Sequence, residues 1–147
     1  MSTVSQVLNN GQQAITNYDL SKIFIGGNRY DKANYTNSGY DPVTLSAGTL
    51  MGRVSANQKI VPHVSTASDG SQYPVGILAS EVTVDDGDTV ELYFCTAGDV
   101  AEGKVILGGS DTLDTVISGR SIRDRIAADT VGIKLVAGTE MTAFDNQ

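Results

Sequence analysis

The sequence predicts a mainly β domain of several short strands and hairpins, with one short helical region and an extended N-terminal arm. Three observations carry this. Val82 to Val84 alternates apolar and polar, Asp85-Asp86-Gly87-Asp88 follows, and Thr89 to Phe94 alternates again with Val90, Leu92 and Phe94 on one face. Period-two runs about an Asp-Gly turn predict a hairpin. The run Val75-Gly76-Ile77-Leu78-Ala79 is apolar on both faces, which predicts a strand inside the core. Good helical spacing occurs in one region, where Leu113, Val116 and Ile117 are followed by Ile122 and Ile126.

Taken in order, residues 1–44 differ from the rest and are assigned to the arm. They hold Asn9-Asn10, Gly26-Gly27, Asn28, Asn34, Asn37 and Gly39, a mixture that favours extended chain with local turns. Val4, Val7 and Leu8 sit at helical spacing in a segment too short to be stable alone. Ile23-Phe24-Ile25 is the one compact apolar run and predicts a single short strand. Four of the six tyrosines lie here: Tyr18, Tyr30, Tyr35 and Tyr40. The last three recur every five residues, which fits neither a helix face nor a strand face. Two readings stand side by side, rings laid over the domain's own surface and amphipathic anchors for a partner. So few apolar side chains bury too little surface to offset ordering entropy, so the domain is expected to fold without residues 1–40.

The β-rich domain is assigned to residues 45–147. Leu45-Ser46-Ala47-Gly48 turns into a strand from Leu50 to Val54, Ser55 to Gln58 turns again, and Lys59 to Val64 is a strand that Pro62 demotes to an edge. Ser65 to Gln72 is a polar surface loop. After the core strand and the Asp-Gly hairpin, Ala97-Gly98-Asp99 reads as a further turn and Val105-Ile106-Leu107 as a further apolar run. Gly119 splits the helical region, and Ser121 with Asp124 has capping-box spacing, with Asp in place of Glu or Gln. Thr130 to Val136 predicts a closing strand with Val131, Ile133 and Leu135 on one face, and the chain after Ala137 is expected to fray.

Composition excludes several function classes. The 147 residues fit one domain, with 40% apolar and 18% charged residues and a formal charge of −7. Without a basic stripe, neither nucleic acid nor an anionic membrane is an expected partner. Nine carboxylates lie between Glu81 and Asp114 against one cation, Lys104, and read as solvated turns. The N-terminus has no signal-peptide pattern, and no run is long and apolar enough for a membrane helix. Cys95 is the sole cysteine, so no internal disulfide forms, and its strand position predicts a small buried side chain kept in a reducing cytosol. His63 is the sole histidine and reads as half exposed on an edge strand. No nucleophile elbow, dinucleotide fingerprint or phosphate loop occurs, and Asp85 to Asp88 lacks the ligand pattern of a calcium loop. No catalytic residue, cofactor or metal is expected. Arg120, Arg123 and Arg125 form the one basic cluster, either a solvated helix face or a contact for an acidic neighbour.

One stretch carries a family likeness. Pro74-Val75-Gly76-Ile77-Leu78-Ala79 is followed by a Thr/Asp-rich segment, then Leu92-Tyr93-Phe94, Gly98-Asp99-Val100 and Val105-Ile106-Leu107. This order resembles the head decoration proteins of lambda-type tailed phages, from about Leu45 to about Val136. The resemblance implies a β-clip-like domain and a non-enzymatic homotrimer on the outer capsid surface of the virion. It implies the major capsid protein as partner, a shell stabilised against internal DNA pressure, and synthesis in the bacterial host cytoplasm. It also implies an arm that orders against the shell. On that reading Ile23, Phe24, Ile25, Tyr30, Tyr35 and Tyr40 are the candidate capsid contacts, with Gly76, Gly87 and Gly98 as structural turn and core positions. The alternative is a β-rich carbohydrate- or receptor-binding module of a phage tail or surface structure, which needs exposed aromatic platforms in a chain without Trp.

Overall fold

A computed structural model describes residues 22–137. The Val4, Val7 and Leu8 spacing, Tyr18 and the segment after Ala137 lie outside the described residues. The described residues are strand-rich with one α-helix. The strands are β1 (Phe24–Thr36), β2 (Val43–Leu45), β3 (Leu50–Arg53), β4 (Ile60–Pro62), β5 (Pro74–Leu78), β6 (Val82–Val84), β7 (Thr89–Ala101), β8 (Val116–Ile117), β9 (Arg120–Ser121) and β10 (Gly132–Val136), with α1 (Ile122–Asp129) between the last two.

Five strands form the main antiparallel sheet in the order β1-β7-β5-β3-β4, and β10 joins β7 in parallel. β10 lies beyond the end of β5, since β1 already occupies the other edge of β7. β4 is an edge, as Pro62 requires. The sheet curls until that edge nears the end of β1, where Lys59 Nζ donates to Thr36 Oγ1 at 2.7 Å.

Both faces of this sheet are buried, and consecutive residues of its central strands feed different cores. Met51, Leu78 and Phe94 join Tyr35, Leu45, Ile60, Val84 and Leu92 in the first core, under the β2–β6 ribbon. Leu50, Ile77 and Cys95 join Val100, Ile117, Ile122, Ile126 and Ile133 in the second, under α1. Register agrees, since Leu50 opposes Ile77, Ile77 opposes Cys95, and Leu78 opposes Phe94. This double burial is why the β5 run is apolar on both faces.

Four expectations change. The Asp-Gly segment is a turn without a hairpin. β6 pairs with β2, where Thr44 and Thr83 share a hydroxyl contact of 2.9 Å, and β7 pairs with β1. Asn37 makes the difference. Its N–H donates to Asp88 O at 2.9 Å, its carbonyl accepts from Gly87 N at 2.7 Å, and its Nδ2 donates to Val84 O at 3.0 Å. The turn's polar groups are thus taken by the corner after β1, and the two arms of the turn diverge into different sheets.

Gly98 is a bulge within β7. Cys95 and Val100 are five positions apart, so strict alternation would place them on opposite faces, yet both lie in the second core. The bulge, with Gly98 at φ +101° and register shifts between Phe24 and Tyr30 on β1, supplies the extra residue. A Cβ on Gly98 would also lie 2.7 Å from the Gly27 and Asn28 backbone.

Leu113, Val116 and Ile117 are not helical. Ser118 and Gly119, both at positive φ, close the β8–β9 hairpin instead. The helix begins after Ser121, whose Oγ accepts from Asp124 N at 3.2 Å as its capping spacing indicates. Ile122 and Ile126 then face the core together. On β10, Ile133 and Val136 are buried while Val131, ahead of the strand, is 77% exposed.

The fourth change concerns the arm. β1 takes residues 24–36 into the main sheet, and Tyr35 is buried in the first core. Folding without residues 1–40 does not follow from this arrangement.

Gly76 lies opposite Met51 and beneath the Phe94 ring, where an added Cβ would stand 2.5 Å from both that ring and the Cys95 carbonyl. Gly76→Val is therefore expected to lower stability by roughly 1–3 kcal/mol through overpacking. Chemical denaturation measures it, and a midpoint equal to wild type contradicts the packing described.

Candidate functional site

β1 is an edge strand. Among the described residues it is paired to β7 along one side and to no strand on the other, where its end nears β4. A long bare edge invites pairing with other chains, and two devices blunt this one. The first is the bulge at its start, pinned by Asn28, whose Nδ2 donates to Asp99 O at 3.0 Å and Ala97 O at 3.4 Å. The second is charge, with Arg29, Asp31 and Lys32 exposed in sequence.

The β1–β7 ribbon has one open face. Tyr30 opposes Cys95, Lys32 opposes Tyr93, and Asn34 opposes Glu91, so these side chains share a face. It is the face of the second core, and burial under α1 ends at Cys95. Beyond it Tyr93 is 54% exposed and Tyr30 49% exposed. The Phe24 ring meets Tyr30 edge-on at 5.8 Å, and Lys32 Nζ lies 3.9 Å from Glu91 Oε1. The result is a two-tyrosine surface with an aromatic support and a polar border, the composition of an interaction surface. Burial, and then the Cys95 thiol, push the Tyr30 phenol up, so it stays a neutral hydrogen-bonding group.

The six arm residues singled out in sequence do not form one surface. Ile23 and Phe24 pack against the second core, and Ile23 O accepts from Ala101 N at 2.8 Å. Ile25 is half-buried, and Tyr35 is a core residue. Tyr30 and Tyr40 are exposed, Tyr40 at 96% on the loop after Asn37. Gly76 sits in β5, Gly87 in the Asn37-clamped turn and Gly98 in the β7 bulge. Tyr93 was missed, although Leu92 and Phe94 pointing inward imply that Tyr93 points outward.

Two of the three clustered arginines are committed within the chain. Arg123 pairs with Glu102, and its other guanidinium nitrogen lies 3.9 Å from Asp114. Arg125 donates to the Ile117 and Ser118 carbonyls, lies 5.2 Å over the Tyr73 ring and is 3.7 Å from Asp129. Of the three arginines, Arg120 alone makes no ion pair among the described residues. A cleft of about 510 Å³ beside α1, bordered by Glu102, Arg123, Asp124 and Lys134, holds one of these ion pairs at its rim.

Burial pushes the Cys95 thiol up, and its Sγ donates to Ala97 O at 3.1 Å, so it sits far from the thiolate that nucleophilic attack needs. Among the described residues no group of three or more His, Cys, Asp or Glu is placed to hold a metal ion.

A family model described as HDPD, bacteriophage lambda head decoration protein D, matches residues 23–116. No curated protein matches the chain. The matched span starts one residue before β1 and ends in β8. It includes 23–44, the part assigned in sequence to the arm, and leaves out α1 and β10.

Because the β1–β7 ladder and the Tyr35 side chain close the first core, a chain beginning at Asp41 is expected to lose its cooperative unfolding transition. Near-ultraviolet circular dichroism during a thermal melt reads this. A sharp transition near the wild-type temperature would show that β1 is dispensable.

Proposed function

The chain belongs to the family of the bacteriophage lambda head decoration protein D, and we propose from that premise that it binds the outer surface of a phage head as a trimer and stabilises the shell. The family match is the observation that carries this reading. The action is binding alone. Each copy contacts the major capsid protein, and a trimer multiplies several weak contacts into one strong attachment. The protein then belongs to the virion after synthesis in the bacterial host cytoplasm. With a charge of −7 it contributes no basic surface for the packaged nucleic acid.

On this reading residues 23–137 are the decoration domain, and the residues before Ile23 serve the shell. Tyr30, Tyr93 and Tyr40 are the domain's candidate contacts, because their rings are exposed while Phe24, Tyr35, Leu92 and Phe94 pack against the cores. Lys32 and Glu91 border the first two and set polarity at the rim.

A second reading keeps the fold and changes the partner. Tyr30 and Tyr93, exposed on one sheet face, are the kind of aromatic platform a glycan-binding module needs. Retention on glycan columns without binding to shells would favour it.

Electron microscopy of the protein mixed with empty shells tests the first reading, with added outer density as the expected result. Tyr30→Ser combined with Tyr93→Ser is expected to change stability by no more than about 0.5 kcal/mol per site, as for exposed positions. The same variant should weaken shell binding at least about tenfold, or ~1.4 kcal/mol. Co-sedimentation with shells measures this, and full-strength binding would move the contact elsewhere on the domain. Sedimentation equilibrium at micromolar concentration is expected to show trimers, and monomers at every concentration would count against assembly before attachment.

A further inference from the structure

His63 is 1% exposed, not the half-exposed residue its place after edge strand β4 indicated. Its main-chain N–H donates to Leu50 O at 2.8 Å, and its ring Nε2 donates to Gln72 O at 2.7 Å, across the loop 65–72. A carbonyl only accepts, so Nε2 carries the proton and Nδ1 is the bare nitrogen of a neutral ring. That Nδ1 is buried without a hydrogen-bond partner among the described residues. On the other side, a Cβ on Gly108 would lie 2.8 Å from His63 O, and Asp111 accepts from Ser65 N at 2.8 Å and Ser65 Oγ at 2.5 Å. The ring of His63 therefore holds the loop 65–72 at Gln72, while its main chain packs against Gly108 and the same loop is tied to the turn 108–111 through Ser65 and Asp111.

We propose that His63 is an acid-sensitive pin. As a neutral ring it holds the loop 65–72 at Gln72 against the edge of the main sheet, and with that loop the turn 108–111 that Asp111 ties to Ser65, and a proton taken up at Nδ1 from solvent releases them. Three charged groups stand on the elements around it: Arg53 at the end of β3, Asp69 in the loop and Asp111 in the turn. Arg53 lies over the Phe94 ring at 5.8 Å, and Asp69 is occupied by Ser71 N and Oγ. Burial holds the ring below the usual histidine range, against the Gln72 carbonyl and then Asp111, which favour the imidazolium less strongly. The sign follows from linkage. A depressed folded value means that the opened state binds the proton more readily. The pin's contribution is complete above the ordinary histidine pKa of about 6.5 and is lost as pH falls through the lower folded value. The device belongs to the domain itself and holds whatever partner the domain meets.

Because His63 is the only histidine, the test is direct. Proton NMR of the full chain should show one imidazole whose midpoint lies below that of the same chain in denaturant. Hydrogen exchange, corrected for its intrinsic pH dependence, should rise in peptides covering 65–72 and 108–111 between about pH 7.5 and 5.5, through the histidine range, while β7 peptides stay protected. His63→Gln keeps an amide donor for Gln72 O and cannot titrate, so its loop exchange should not respond to pH. A folded-state midpoint at the denatured value, loop exchange independent of pH, or a full pH response in His63→Gln would each overturn the proposal. Should the variant not fold, the titration and exchange of the wild-type chain decide the matter.

Discussion

The fold rests on one constraint: the middle of β7, at Phe94 and Cys95, must be buried on both faces and paired on both edges. Phe94 and Cys95 are neighbours in sequence, are almost fully buried and enter different cores. No single covering layer can satisfy both. The β2–β6 ribbon closes one side and α1 the other, while β1 takes one edge and β5 and β10 share the opposite one. Burying side chains such as Leu92, Phe94 and Val100 contributes on the order of 1.5–3 kcal/mol each, so every one of these partners is costly to lose. The Gly98 bulge and the missing side chain at Gly76 belong to the same solution. One keeps Val100 facing the second core past the crossing with β1, and the other leaves room for the Phe94 ring.

Much of this was legible in the residues. A run apolar on both faces marked β5, Pro62 marked an edge, and Ser121 marked the start of the helix. The failures share a cause, which is that local signals do not name their partners. Asp85 to Asp88 has the residues of a hairpin turn, but pairing was decided by Asn37, far away in sequence, and by a ribbon that β2 and β6 form over the first core. The apolar spacing of Leu113, Val116 and Ile117 suits a helix, yet Ser118-Gly119 turns the chain back. β1 was hardest to see, because Asn, Gly and charged residues fill it. It is an edge strand with a bulge, so only Ala33 and Tyr35 of its regular half need face the core. His63 was misjudged for a related reason, since the loops that cover it come from two other parts of the chain.

The candidate surface was legible only in part. Counting tyrosines drew attention to β1, but spacing alone could not separate Tyr35, which is structural, from Tyr30, which is exposed. Only pairing with β7 assigns the faces, and it also brings in Tyr93. The surface suits a protein that acts by attachment. It lies on a ribbon held rigid by two cores, its rings carry large contact area with few rotatable bonds, and its polar border discourages indiscriminate association.

The central claim is that the β1–β7 pair is the spine of the domain and that residues 24–36 are not a detachable arm. Hydrogen exchange by mass spectrometry on the free protein tests this most directly. If β1 is integral, peptides covering 30–36 and 89–95 will exchange together, at the slow rate set by global unfolding. Fast exchange in 30–36 beside full protection in 89–95 would show that β1 comes away while the cores stay closed, and would contradict the account.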